Sequence, residues 1–116
     1  MSTLRVTTLA TQAGVEVYTA KAWVNFNGTG TVAIRASGNV SSITDNGTGD
    51  YTVNFTVAMV DANYCANVTS GGFSISERTI LGTAYALTTS AVKVEAIICT
   101  NAARFDANLI SVAIFR

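Results

Sequence analysis

The sequence from Lys21 to Asn67 is KAWVNFNGTGTVAIRASGNVSSITDNGTGDYTVNFTVAMVDANYCAN, and it contains the tetrapeptide Asn-Gly-Thr-Gly twice, beginning at Asn27 and at Asn46. Asn-Gly between alternating apolar and polar residues is a strong hairpin signal, because a type I′ turn needs two residues that tolerate positive φ. The stretch therefore predicts stacked β-hairpins with a tight turn of this type at each repeat.

The clearest strand signal is the alternation in residues 51–57, where Tyr51, Val53, Phe55 and Val57 share one face. This period of two predicts a half-buried strand. Further strands are predicted at residues 22–26, 31–37, 40–44, 64–69, 73–76, 91–100 and 109–115. A reversal at residues 37–39 would join the first of them into a meander. Residues 76–87 are the one place where the sequence would allow a short helical turn.

The runs at residues 97–99 and 112–115 are apolar on both faces, unlike the earlier strands. Such strands are covered on both faces. They are therefore either central strands of a sandwich or strands whose outer face lies against a neighbouring subunit.

These patterns predict one all-β domain. The chain has 116 residues and no proline, so its turns are built from Gly, Asn and Asp, and the helix signal is poor throughout. The expected fold is an antiparallel, jelly-roll-like β-sandwich of about 7–9 short strands in residues 21–116. Residues 1–20 are less regular and are expected to form an N-terminal arm or an extra strand.

The composition is apolar and poorly charged. Apolar residues make up 49% of the chain and charged residues 12%, about half the usual share. Either Ser, Thr and Asn keep the surface soluble, or part of the apolar excess is buried against other chains. Seven basic and seven acidic residues cancel, which predicts no nucleic-acid partner and no attraction to an anionic membrane.

The N-terminal sequence lacks the build of a secretion signal, and no apolar run approaches the ~18 residues of a membrane span. The protein is therefore expected to fold in a cytoplasm without membrane insertion. In that compartment, Cys65 and Cys99 are predicted to be reduced, buried and structural, with a disulfide as the lesser option.

Catalytic chemistry has little support. The chain has no histidine, which removes the commonest general base and metal ligand. The available carboxylates are Asp45, Asp50, Asp61, Glu77, Glu95 and Asp106, and their spacing singles out no pair. Residues 45–50 are oxygen-rich but lack the alternating acidic positions of a calcium loop, so they are predicted to form a turn. We expect no catalytic residue, no cofactor and no metal.

The remaining candidates are residues that could contact a partner subunit or a ligand. Trp23 lies opposite in parity to Val24 and Phe26, so one of the two sets faces outward or into an interface. A sugar-binding platform is the alternative to a core or interface role for the aromatic residues. The full set of candidate contacts is Trp23, Tyr18, Tyr51, Tyr64, Tyr85, Ile110, Val112 and Ile114.

The segment KAWVNFNGTGTVAIRASGNVSSITDNGTGDYTVNF, followed by DANYC, closely resembles a module of tail-fibre-like structural proteins from bacteriophages and prophages. The match is strongest over residues 21–64. The resemblance implies a virion component, typically trimeric and fibre-associated, that contacts the host surface. It implies a homotrimer, other virion proteins of the tail, baseplate or capsid as partners, and a host-surface glycan or protein as a further candidate. The matching motifs contain no catalytic residue.

An alternative location on the particle follows from the shortness of the chain. Only 20 residues precede the matching stretch, so a shaft of its own is not expected. A capsid decoration or head-fibre protein, which stabilises or extends the shell without touching a receptor, is therefore the second hypothesis.

Overall fold

The computed structural model describes residues 18–71 and 80–116 and contains eight β-strands there. The strands are β1 (Ala22–Asn27), β2 (Ala33–Gly38), β3 (Val40–Gly47), β4 (Asp50–Phe55), β5 (Cys65–Gly71), β6 (Ile80–Tyr85), β7 (Ala91–Ile98) and β8 (Leu109–Phe115). Over the described residues there is no helix, which confirms the all-β prediction. The predicted strand at residues 73–76 and the N-terminal arm up to residue 17 lie outside the described residues.

The strands form two antiparallel four-stranded sheets that pack as a sandwich. Sheet one has the order β2-β1-β8-β5, and sheet two has the order β3-β4-β7-β6. The two strands predicted to be apolar on both faces, β7 and β8, are each flanked by a strand on either side. The central-strand position is therefore observed, and an outer face that lies against a neighbouring subunit stays a prediction.

The core lies between the sheets and follows directly from the period of two. Every second side chain of β1, β4, β7 and β8 points inward and is buried. Fully buried large side chains are Val24, Phe26, Tyr51, Val53, Val92, Val94, Ile110 and Ile114. Burying one such side chain stabilises the fold by about 1.5–3 kcal/mol. Phe26 and Tyr51 contact each other across the sheets edge to face, with ring centroids 5.3 Å apart.

Both predicted hairpins form, but neither contains a type I′ turn at Asn-Gly. The connection from β1 to β2 is residues 28–32, and only Gly30 has positive φ there. In the second hairpin, Gly47 and Gly49 have φ of 133° and 63°. They flank Thr48, so two consecutive residues with positive φ do not occur. The hairpin prediction is confirmed, and the predicted turn type is wrong.

The predicted meander is also wrong, because the reversal after β2 switches sheets. β2 ends sheet one, whereas β3 begins sheet two. Asn39, at the crossing, has φ of 56°. Its side-chain amide donates to the carbonyls of Lys21 (3.0 Å) and Val57 (3.1 Å), and its Oδ1 accepts from the Val57 N–H (2.7 Å). These bonds fix the chain where it passes from one sheet to the other.

Residues 80–85, within the range where the sequence would allow a helical turn, form the edge strand β6. Its Gly82 lies against β5 of the other sheet, where an added Cβ would stand 2.7 Å from a methyl carbon of Val68 and 3.2 Å from the backbone nitrogen of Ser70. Glycine is thus required for β5 and β6 to close this side of the sandwich. On the opposite side, by contrast, β2 is exposed along most of its length.

Candidate functional site

The structure places five of the eight candidate contact residues in the core rather than at the surface. Each is at most 5% exposed, because it lies at an inward-facing position or beneath the loop at the sandwich end. These residues are Tyr51, Tyr64, Ile110, Val112 and Ile114. Their expected contact role is therefore corrected to core packing. Tyr85 is partly exposed, whereas Trp23 and Tyr18 are 44% and 80% exposed.

The most distinctive surface is the outer side of sheet one, which we call the neutral face. It consists of the outward-pointing residues Trp23, Asn25, Ala36, Gly38, Cys65, Asn67, Thr69, Ser111, Ala113 and Phe115. Strand register arranges them in straight cross-strand rows. The four strands of this sheet contain a single charged residue, Arg35.

Two aromatic side chains stand on the neutral face. The Trp23 indole lies directly over Gly38 of the neighbouring strand, where any side chain would collide with the ring. An aromatic ring covering a cross-strand glycine is a known way to shield the backbone of an edge strand. Phe115, which is 37% exposed, lies on the same face and pairs with Cys65 of the edge strand β5.

The only charge of sheet one is held at a corner of the neutral face. Arg35 lies at a β-bulge, where the register of β1 and β2 shifts between Asn25 and Phe26. Its guanidinium donates to Asn25 Oδ1 (3.1 Å) and to the carbonyl of Asn108 (2.5 Å). These two acceptors hold the cation against its own chain.

The outer side of sheet two is polar apart from the cross-strand pair Leu81 and Ile97. It carries a charged cluster formed by Asp50, Tyr85, Glu95 and Arg104. Asp50 and Glu95 are directly opposite on β4 and β7. Arg104 donates to Glu95 Oε2 at 3.1 Å and lies 3.9 Å from Asp50 Oδ2. The Tyr85 hydroxyl donates to Asp50 Oδ1, and this hydrogen bond, with a smaller effect of burial, raises the pKa of Tyr85 to about 12.

Sequence reasoning did not find this cluster, because its two carboxylates are far apart in the chain and meet only through the β4–β7 register. Their geometry does not favour acid–base catalysis, since one guanidinium neutralises both carboxylates and a phenol occupies one of them. Across the described residues, no group of three or more Cys, Asp or Glu side chains is placed to hold a metal ion. Glu77 lies outside the described residues.

A hydrogen-bonded group at one end of the sandwich ties the two Asn-Gly-Thr-Gly repeats together. The Tyr51 hydroxyl lies 2.8 Å from the Gly28 carbonyl and 2.9 Å from Asp106 Oδ1, and the same carboxylate oxygen accepts from the Gly49 N–H at 2.8 Å. Burial, followed by the bond to Asp106, raises the pKa of Tyr51 well above its ordinary value. An added Cβ at Gly28 would stand 2.7 Å from the Ala107 carbonyl, so this backbone approach also needs glycine.

A cleft of about 440 Å³ opens at the other end of the sandwich, lined by Lys21, Asn39, residues 57–60 and Arg116. Arg116 forms a two-pronged ion pair with Asp61, with N–O distances of 2.9 and 2.8 Å. This pair, together with the Asn63 N–H, lowers the pKa of Asp61 to about 2. The polar groups of Asn39 are already used by backbone partners, which leaves few groups to orient a ligand there.

The cysteine prediction is corrected in one respect. Cys65 and Cys99 are free thiols, and both are exposed rather than buried. Cys65 points outward because its neighbour Ala66 pairs with the inward-facing Ile114. In the described part of the chain, no helix is long and apolar enough to cross a membrane.

A scan against protein-family models found no match, and searches of curated proteins and of solved structures found no protein similar to this chain.

Proposed function

We propose that this chain is a non-enzymatic structural protein of a bacteriophage particle, acting as a tail-fibre or fibre-tip module in attachment to the host surface. One observation carries the proposal. The stretch that resembles tail-fibre-like proteins folds as β1 to β4, which supplies half of each sheet. Its most distinctive residues, the two glycine-rich turns and Tyr51, are used to fasten the sandwich rather than to form a reactive site.

The proposed assembly is a homotrimer in contact with other virion proteins. The low charge of the chain supports contact with further chains in general, because that shortage is concentrated on the neutral face and not spread over the surface. Surfaces that stay exposed to water usually carry charged side chains, whereas the centres of protein interfaces are depleted in them. A host-surface glycan or protein is the proposed target of the assembled module.

Adsorption competition tests the attachment role. Host cells are preincubated with the purified full-length chain, and adsorption of the phage that encodes it is then measured against chain concentration. We expect a dose-dependent fall in adsorption, and the same chain after heat unfolding serves as the control. Unchanged adsorption at saturating folded protein would contradict the attachment role.

A capsid decoration or head-fibre protein is the second candidate. The described residues form one body of 47 × 31 × 26 Å, dimensions that suit a protein seated directly on a shell. Labelling intact particles with an antibody against the chain distinguishes the two locations. Label at the tail tip supports the first candidate, label distributed over the head supports the second, and unlabelled particles contradict both.

A further inference from the structure

We infer that the neutral face is the surface on which a second copy of this chain docks. A contact between two identical faces is two-fold and joins chains in pairs, whereas a three-fold ring joins two different surfaces of each chain. The inference therefore goes beyond the proposed homotrimer and identifies a second surface of self-association. Three properties of the face carry it: its lack of charge, its flatness and its area.

Charge selects the partner. Apart from Arg35, which is held at the corner by Asn25 and Asn108, the strands of sheet one contain no charged residue. A nucleic acid or a strongly charged protein would find nothing of opposite sign to pair with. A second neutral face brings no like-charge repulsion and no unpaired buried charge. Self-complementarity of this kind is what a contact between identical surfaces requires.

The face is also flat enough for two sheets to approach. Four of its ten positions are small: Ala36 and Gly38 on the edge strand β2, and Ser111 and Ala113 on the central strand β8. Two sheets with small and medium side chains between them pack about 10 Å apart. Trp23 is the one bulky group in its row and has the size and partial exposure typical of interface anchors. The outer Asn and Thr side chains can exchange hydrogen bonds with the same groups of another copy.

Area predicts the strength of the contact. Four strands about 4.8 Å apart and six or seven residues long, at about 3.3 Å per residue, give roughly 400–450 Å² of projected face per copy. Two copies therefore bury on the order of 900 Å², just below the ~1,000 Å² expected of a specific interface. One such contact is expected to be in the micromolar range. It becomes stable only where several copies are held together, as in a multi-chain particle.

A matched pair of lysine substitutions tests the docking surface. Thr69 of β5 and Thr44 of β3 are both exposed threonines on edge strands, but Thr69 lies on the neutral face and Thr44 on sheet two. Sedimentation velocity of the full chain is followed from about 1 µM to several hundred micromolar. We expect concentration-dependent association of the unmodified chain, and at least a ~10-fold weaker association for Thr69→Lys but not for Thr44→Lys, because only the former buries an unpaired charge. Circular dichroism verifies that both variants fold.

Trp23 gives an independent readout, because it is the single tryptophan of the chain and stands on the neutral face. Its emission should shift to shorter wavelength, and its quenching by acrylamide should fall, over the same concentrations at which the chain associates. Association without any change at Trp23, or equal weakening by both lysine variants, would assign the contact to another surface and overturn the inference. A chain that stays monomeric throughout would overturn it as well.

These outcomes are separable from those of the proposed function. If the antibody labels phage particles but the purified chain is monomeric, the neutral-face contact is contradicted and the virion role is supported. If the chain associates through the neutral face but is absent from the particle, the virion role is contradicted and the contact is supported.

Discussion

The two outer faces of this sandwich cover the same core but carry opposite kinds of surface. The outer side of sheet one has Trp23 and Phe115 among small and amide side chains, with one cation held at its corner. The outer side of sheet two has a neutralised cluster around Arg104 and a polar ladder in which Asn54 donates to both Ser42 and Thr44. The fold therefore needs only the inward-facing positions, and the outer positions are free to differ between the faces.

This difference explains the low charge of the composition. The charged residues within strands lie mostly in sheet two, where Asp45, Asp50, Lys93 and Glu95 face water or one another. Sheet one is left without groups that would hydrate it strongly. A charge content averaged over the whole chain hides this asymmetry, and only the strand order reveals it.

The largest expected effect on stability comes from substitutions in the core that the two sheets share. Ile114 and Val94 are both fully buried on central strands, one in each sheet. We expect Ile114→Ala to lower the free energy of unfolding by about 2–5 kcal/mol through lost burial and a residual cavity. Val94→Ala should destabilise less, because it removes fewer atoms. Urea denaturation measures both, and Asn67→Ala, on the exposed neutral face, should stay within about 0.5 kcal/mol of the unmodified chain. A comparable loss at Asn67 would mean that the outer face contributes to the stability of the single chain.

A smaller loss of stability is expected at the hydrogen-bonded group formed by Tyr51, Asp106 and the backbone of Gly28 and Gly49, which we call the junction. Tyr51→Phe removes the hydroxyl between the Gly28 carbonyl and Asp106, leaving buried acceptors with one partner fewer. We expect a loss of about 1–3 kcal/mol in the free energy of unfolding. Tyr64→Phe is the matched control, since its hydroxyl reaches only the carbonyls of Thr88 and Ala91. It should cost less than Tyr51→Phe, and the reverse order would show that Asp106 does not depend on Tyr51.

Alternation is a local signal, so it predicted the strands that build this core, but it did not identify which of their side chains lie inside. Tyr51 and Ile114 were expected at a contact surface, and Val57, placed on the same face as Tyr51, is 68% exposed beyond the end of β4.

The junction depends on contacts between distant residues. The hairpins at Asn27 and Asn46 were predictable, whereas their turn types were not. Gly28 and Gly49 are held by the backbone of residues 105–107 and by Asp106, more than fifty positions away from either. Tertiary contact, rather than the Asn-Gly dipeptide, therefore sets the turn geometry.

The difference between local signals and distant contacts also explains why β6 was not predicted as a strand and why a meander was predicted where the chain changes sheets. The alternation of β6 is interrupted by Gly82, which is needed where β5 and β6 approach and which weakens the strand signal. At Asn39, a short reversal looks the same in sequence whether the next strand pairs with the last or enters the other sheet. For the candidate site, parity predicted that Trp23 faces away from Val24 and Phe26, but not which of the two sets is outward. It could not predict that Arg35 would be the only charged residue in the four strands of this sheet, because strand order is not encoded locally.

Titration of Tyr85 tests the charged cluster on the outer side of sheet two. Its pKa is raised to about 12, chiefly by the hydrogen bond to Asp50, so Asp50→Asn should lower the midpoint toward the ordinary value of about 10. The folded pKa lies above the unfolded one, so the stabilisation is fully present below pH 10 and is lost as the pH rises through about 12. Phenolate absorbance, taken as the difference between the unmodified chain and Tyr85→Phe, isolates this group. An unchanged midpoint in Asp50→Asn would show that Asp50 does not set the pKa of Tyr85.

The smallest effect is expected at the ion pair that lies at the end of sheet one, beside the cleft. Asp61 has a pKa of about 2, lowered mainly by Arg116, so the stabilisation from this pair is present above pH 4 and disappears as the pH falls through about 2. Arg116→Gln should raise the midpoint of Asp61, measured from its carboxyl carbon by NMR. The midpoint should stay below the ordinary value, because the Asn63 N–H still donates to the carboxylate. The Arg116 and Asp61 side chains are 42% and 37% exposed, so the free energy of unfolding at neutral pH and association through the neutral face should change little. A large loss of association in Arg116→Gln would extend the docking surface beyond the neutral face to this end of the sandwich.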